Sequence, residues 1–130
     1  MLQVTAGIIH RNEKILIARR KPGMDLEGLW EFPGGKMEQN ETPEACLIRE
    51  IREELGIDIK VLDHIMDSLF QYPGKSICLL VFNAEYLDGQ IVLIDHDKVE
   101  WIGLNELNVF EFAPADKAIV DKLQKDFLNS

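Results

Sequence analysis

The spacing of apolar residues changes period several times along the chain, and each change marks an element. Residues 3–10 alternate around Ala6, Ile8 and Ile9, and residues 14–19 carry Ile15, Leu16 and Ile17. With Asn12-Glu13 as a turn between them, the two runs predict a β-hairpin. Residues 21–29, rich in glycine and charge, read as a loop, and residues 30–35 lead out of it. The period then lengthens: Leu47, Ile48, Ile51 and Leu55 fall on one side at about 100° per residue, the mark of an amphipathic helix. Thr42 is placed to cap that helix, Pro43 suits its first turn, Glu44 sits near the positive end of its dipole, and Gly56 suits its end.

Residues 58–67 and 76–86 return to strand character, joined by a loop containing Tyr72-Pro73-Gly74. Residues 87–90 read as a hairpin turn leading into a strand over 91–94, and 99–102 as another short strand. Residues 115–128 predict a last amphipathic helix with Ile119, Val120, Leu123 and Phe127 inward. Strands interleaved with two helices imply an α/β chain, a mixed β-sheet between helices. With no repeat, low-complexity tract or linker, residues 1–130 are expected to form a single domain.

The polar side of the first helix changes this picture. Glu50, Glu53 and Glu54 stand at i, i+3 and i+4 and point together, an arrangement that costs a helix roughly 0.2–0.5 kcal/mol per like-charged pair. Hard divalent cations, which take oxygen ligands, reverse that sign, and Mg²⁺ is the usual choice beside phosphates. The carboxylates also keep register with a preceding glycine turn. The run Gly35-Lys36-Met37-Glu38-Gln39-Asn40-Glu41 is followed by seven residues and then by Arg49-Glu50-Ile51-Arg52-Glu53-Glu54-Leu55-Gly56-Ile57. It resembles the Nudix box, G-x5-E-x7-R-E-U-x-E-E-x-G-U with U aliphatic, at every specified position. From average composition, a chance match has a probability on the order of 10⁻⁷.

The resemblance extends over essentially the whole chain. Gly7-Ile8-Ile9, Ala18-Arg19-Arg20, Trp30-Glu31-Phe32-Pro33-Gly34-Gly35-Lys36, Glu100-Trp101 and Phe112-Ala113-Pro114-Ala115 are similar to the MutT-type branch of that family. It implies the Nudix fold, an α/β/α sandwich around a mixed sheet. It also implies Mg²⁺-dependent hydrolysis of a nucleoside triphosphate to the monophosphate and pyrophosphate, with Mn²⁺ as a substitute metal. That branch is known for removing oxidised guanine nucleotides from the precursor pool. Carried over by position, Glu50, Glu53 and Glu54 match the metal-binding glutamates and the Gly34 carbonyl matches the backbone ligand. Glu50 or Glu53 is the expected base. Gly35, Glu41, Arg49 and Gly56 take structural roles, Glu41 and Arg49 holding loop to helix. Asp95, six residues before Trp101, stands where relatives carry a glutamate that assists metal or water. Its neighbours His96 and Asp97 read as solvated.

Composition narrows the partners. A formal net charge of −9 argues against a nucleic-acid polymer as partner, which normally calls for a basic footprint. A small polyphosphate must then be met by metals and by a few placed cations: Arg19, Arg20, Lys36 and Lys75 are the candidates. Cys46 and Cys78 are too few for a disulfide framework and read as buried free thiols. Soft sulfur is a poor Mg²⁺ ligand, which makes Cys46 a packing residue. No leader pattern and no bilayer-length apolar run stand out. The expectation is a cytoplasmic enzyme, away from membranes, acting as a monomer or weak homodimer.

The base-recognition residues leave more open. Oxidised-guanine members carry asparagine after the Pro-Ala pair, where this chain has Asp116. An ionised aspartate only accepts, which suits the amino group of cytosine. Ala-Pro-Ala-Asp also resembles the cytidine-triphosphate pyrophosphohydrolase subgroup, which extends the substrate class to CTP, dCTP and 5-methyl-dCTP. A buried, protonated Asp116 would instead donate to a guanine carbonyl, and a plain helix cap is the third reading. Tyr72 and Phe32 are expected as aromatic walls for the base, although Phe32 fits a core position equally. Two other functions remain in view, cleavage of a nucleotide sugar or dinucleotide and silent nucleotide binding.

Overall fold

A computed structural model describes residues 1–129. Its strands are β1 (Leu2–Arg11), β2 (Lys14–Arg20), β3 (Trp30–Glu31), β4 (Asp58–Tyr72), β5 (Lys75–Asp88) and β6 (His96–Ile102). The helices are α1 (Pro43–Leu55) and α2 (Lys117–Leu128), with 3₁₀ turns at Leu104–Val109 and Pro114–Asp116. The six strands form one mixed sheet, in the order β3-β2-β1-β5-β4, with β6 on β2. Only β1 and β5 run parallel, in register from Leu2 beside Ile77 to His10 beside Glu85; the other pairings are antiparallel.

Each sheet face has its own core. On one side Leu47, Ile51 and Leu55 of α1 pack on Ile9, Leu16, Phe82 and Ala84. On the other, Ile119 and Leu123 of α2 join Ile8, Ile17, Val81, Ile102 and Leu107. This is the expected layering of helices on a mixed sheet. The alternation along β1 and β2 explains it, because successive side chains of a strand serve opposite faces.

The start and stop signals of α1 act as predicted. Thr42 Oγ1 accepts from the Ala45 N–H at 3.1 Å, and Gly56, at φ 71°, donates its N–H to the Arg52 carbonyl at 3.0 Å. Three expectations need correction. Residues 91–94 form no strand: the Val92 N–H bonds the Leu55 carbonyl at the end of α1, and Val92, Leu93 and Ile94 lie exposed. The loop around Tyr72 is a tight turn, with Tyr72 paired to Lys75, so β4 and β5 form a long hairpin. Phe127 is about half exposed rather than inward, while Ile119 and Leu123 are buried. The register of β4 against β5 slips at Asp58/Ile59 and on both sides of His64. Among the described residues nothing pairs with the outer edge of β4.

The site depends on how β1 and β2 part. They pair only at His10–Ile15 and Arg11–Lys14, and residues 33–37 run beside the freed length of β1. The Gly7 N–H bonds the Pro33 carbonyl at 2.8 Å, the Thr5 N–H the Gly35 carbonyl at 2.8 Å, and the Met37 N–H the Gln3 carbonyl at 3.1 Å. A Cβ on Gly34 would fall 1.9 Å from the Thr5 carbonyl oxygen, and one on Gly35 2.2 Å from the Glu50 carboxyl. The first obstacle is backbone and cannot swing aside. Gly34→Ala is therefore expected to lower stability by about 3 kcal/mol or more. Gly56→Ala, strained only by its left-handed backbone, should cost about 1–2 kcal/mol. Chemical denaturation of the two variants measures both.

Candidate active site

The pairing of residues 33–37 with β1 takes alternate carbonyls, those of Pro33 and Gly35. The Gly34 carbonyl is thereby directed to the opposite edge, where Gly34 lines a cavity of about 800 Å³. Glu50 and Glu54 of α1 line the same end, with Asp95 across from them. The Lys21 ammonium donates to the Ile94 carbonyl at 2.7 Å and fixes the approach to Asp95.

Arg49 fastens this end together. Its Nε donates to Glu41 Oε2 at 2.7 Å and its Nη2 to Glu41 Oε1 at 3.0 Å, a bidentate pair that clips the loop to the helix. The same guanidinium reaches the Lys36 carbonyl, Glu50 Oε1 at 2.9 Å and Glu53 Oε2 at 3.2 Å. Glu41 also accepts from the Glu38 N–H at 2.9 Å. The Arg49 hydrogen bonds hold its carboxyl down to about 2, with the Glu38 N–H adding to the effect.

The three helix glutamates divide. Glu50 and Glu54 line the cavity, whereas Glu53 is mostly exposed, outside the lining, and pairs with Arg49 at 3.2 Å. Among the described residues no three acidic, histidine or cysteine groups already converge as a metal cage. The electrostatics still ask for a cation. Burial, reinforced by Glu50, Asp95 and Glu31, pushes Glu54 up to about 8, and burial also raises Glu50 against the pull of Arg49. Two carboxylates, of which Glu50 is paired with Arg49, and a peptide carbonyl form a hard oxygen donor set that fits Mg²⁺ or Mn²⁺. Cys46 lies beneath the loop, buried against Thr5 Oγ1 at 3.4 Å and the Lys36 carbonyl at 3.4 Å, outside the cavity lining.

The far end of the cavity is aromatic. Phe32 takes the core position expected of it, buried and stacked on Phe112 with ring centroids 5.1 Å apart, and it also lines the cavity. Tyr72 lines it from the hairpin turn, its hydroxyl accepting from the Ala115 N–H at 3.2 Å. Asp116 lies between them. Its Oδ2 accepts from the Phe32 N–H at 2.9 Å, and it makes no side-chain cap to α2, so the helix-cap reading is set aside. Burial, then the charge of Glu31, pushes its carboxyl up to about 8.

Of the four candidate cations, Arg20, Lys36 and Lys75 line the cavity. Arg19 does not: it faces outward in a bidentate pair with Asp97 at 2.8 and 2.9 Å. Neither neighbour of Asp95 is simply solvated. Asp97 holds Arg19, and His96 is buried with its Nε2 2.8 Å from Glu31 Oε2. Glu31 and His96 are cavity residues that periodicity does not single out. The only sequence signal is their place at strand ends beside marked residues, Phe32 and Asp95.

The raised Asp116 carboxyl carries a stability signature. The folded state holds its proton up to about pH 8, whereas the unfolded chain releases it near pH 4. Between those values folding takes up a proton, so this group's contribution is full at low pH and is lost as pH rises toward 8. Asp116→Asn keeps an acceptor for the Phe32 N–H and removes the titration. Its melting temperature should exceed wild type increasingly from pH 5 to pH 8.5, by about 4 °C per kcal/mol relieved. A scanning melt across pH measures the gap.

Comparison with known proteins agrees with this geometry. The NUDIX domain matches residues 1–123. The chain is 36% identical over 121 residues to the CTP pyrophosphohydrolase of Escherichia coli K12, covering 93% of this chain and 90% of that one. It is 34% identical over 125 residues to the 8-oxo-dGTP diphosphatase of the same strain, covering 95% and 97%. Among solved structures it is similar to a MutT protein from Methanosarcina mazei Go1, with a TM-score of 0.86, 25% identity, and 99% and 95% coverage.

Proposed function

The chain belongs to the Nudix family, and on that premise we propose that it is a Mg²⁺-dependent nucleoside triphosphate pyrophosphohydrolase that clears altered or surplus nucleotides from the precursor pool. It acts as one domain on small triphosphates and not on a nucleic-acid polymer. The observation that carries this reading is the polarity of one cavity. Its acidic end, built on Gly34, Glu50 and Glu54, fits metal and phosphates, and its aromatic end, built on Phe32, Tyr72 and Asp116, fits a base.

Glu50, Glu54 and the Gly34 carbonyl would hold Mg²⁺, with Glu53 joining from the rim by a side-chain rotation. The ion, when bound, neutralises phosphate oxygens and lowers the pKa of a coordinated water. Lys36, Arg20 and Lys75 draw the remaining phosphate charge into an acidic protein. Glu50 is the base of choice, because it lines the cavity while Glu53 does not. It takes the proton of the attacking water as the phosphoanhydride bond breaks and pyrophosphate leaves.

At the other end a protonated Asp116, its Oδ2 already accepting from Phe32, has a hydroxyl to give. That favours a base presenting a carbonyl acceptor, as oxidised guanine does. The ionised form favours the amino group of cytosine.

Glu53→Gln and Glu50→Gln should both fold and both lose about 10²-fold or more in kcat. A missing metal ligand is partly rescued by raising Mg²⁺, whereas a missing base is not, so rescue is expected for Glu53→Gln alone. Phosphate release with a coupled pyrophosphatase measures it. Millimolar Mg²⁺ should also raise the melting temperature of wild type more than that of Glu50→Gln/Glu54→Gln.

Selectivity tests the base end. The ratio of kcat/KM for 8-oxo-dGTP over CTP should fall as pH rises through about 8, the value to which Asp116 is raised. In Asp116→Asn that ratio should be flat with pH and differ from wild type by about ten- to a hundredfold. Identical pH profiles in the two proteins would remove Asp116 from base recognition.

A further inference from the structure

The β2–β6 pairing carries one irregularity, a register shift between Arg19 and Arg20: Arg19 faces Lys98 but Arg20 faces His96, so Asp97 is skipped. The shift sorts four side chains. Arg19 and Asp97 pair with each other outside, while Arg20 and His96 both turn toward Glu31 on β3. Glu31 then bridges two partners of unequal grip. Arg20 Nη1 lies 3.3 Å from both of its oxygens, a loose contact, whereas His96 Nε2 lies at 2.8 Å with its side chain almost wholly buried. The short buried bond is the one that fixes the rotamer of Glu31.

The His96 ring is an odd choice for packing alone. Its Nδ1 is buried without a hydrogen-bond partner, the one such side-chain atom among the described residues. A carboxylate only accepts, so Nε2 carries the proton given to Glu31, and Nδ1 is left without a partner. An apolar ring would fill the space without stranding a polar atom. What histidine adds is the bond to Glu31. Glu31 in turn engages Arg20 Nη1, while Arg20 Nε donates to the Asp25 carbonyl in the loop over the cavity. Nη2 is left with no partner among the described residues, on a guanidinium that lines the cavity between its acidic and aromatic ends.

We propose that His96 is a positioning residue for substrate: through Glu31 it holds the Arg20 guanidinium so that Nη2 meets the nucleotide between base and phosphates. The proposal rests on the reading of the cavity as a nucleoside triphosphate site. Arg20, anchored on two of its three nitrogens, binds with little ordering left to do; the Asp25 carbonyl holds one of them, and His96, through Glu31, holds the other.

The test compares wild type, His96→Phe, His96→Gln, Arg20→Ala and the Arg20→Ala/His96→Phe double variant. Each is measured for melting temperature, steady-state kinetics on 8-oxo-dGTP and CTP, and equilibrium binding of their α,β-imido analogues, which resist cleavage. His96→Phe should melt at or above the wild-type temperature, raise KM and the analogue Kd about tenfold, and leave kcat within about twofold. His96→Gln, whose amide nitrogen reaches the place of Nε2, should recover binding to within about threefold. In the Arg20→Ala background, His96→Phe should change nothing further, because the two act in series.

Unchanged KM in a folded His96→Phe overturns the proposal. So does an undiminished His96→Phe effect without Arg20, a folded His96→Gln that recovers nothing, or a His96→Phe chain that cannot fold, since the ring would then be structural. Wild type that binds the analogues but cleaves neither triphosphate would strike the hydrolase reading, and the binding comparison would still decide the role of His96.

Discussion

Everything in the site hangs on a close approach of backbones that two missing side chains permit. Residues 33–37 lie against β1 on one side and the Glu50 carboxyl on the other, at distances where a single Cβ at Gly34 or Gly35 would collide. That contact seats the loop on the sheet and places Gly34 in the cavity lining. The Glu41–Arg49 pair then closes the loop on the helix from outside. Sheet, loop and helix thus form one rigid corner, and the carboxylates of α1 inherit their positions from it.

Charge is distributed around this corner with economy. Several carboxylates line the cavity, and two of the nearby cations, Arg49 and Arg20, are committed to protein partners. Arg49 serves Glu38, Glu41, Glu50, Glu53, the Lys36 carbonyl and Cys46 Sγ, and Arg20 serves Glu31 and the Asp25 carbonyl. Glu31 stands at the junction, since its charge bears on both Glu54 and Asp116. One half-buried carboxylate thereby couples two parts of the cavity that never touch.

Local rules made some of this legible in advance. The caps of α1, its apolar stripe and the in-register carboxylates follow from the turn of the helix and the φ of Gly56, which a sequence states directly. The hairpin at Asn12-Glu13 and the two-faced sheet follow from alternation. Elsewhere tertiary contacts decide. Ile91, Val92, Leu93 and Ile94 have strand composition, yet the chain there is held to the end of α1, because Gly89 packs against Gly56 and Ile57. Glu53 shares a helix face with Glu50 and Glu54, but Arg49, four residues earlier, draws it to the rim. The sorting of Arg19 from Arg20 and of Asp97 from His96 turns on a single slip of register, which no periodicity announces.

A similar slip has a consequence at the opposite margin of the sheet. β4 is fifteen residues long and unpaired on its outer side among the described residues, the kind of ribbon onto which a neighbouring molecule can graft a strand of its own. Its register breaks around His64, and exposed Asp63, His64 and Asp67 interrupt the stretch between Leu62 and Leu69. No uninterrupted, flat, apolar length remains for a second chain to copy. The irregularities that make this strand untidy leave a neighbouring chain no regular edge to pair with.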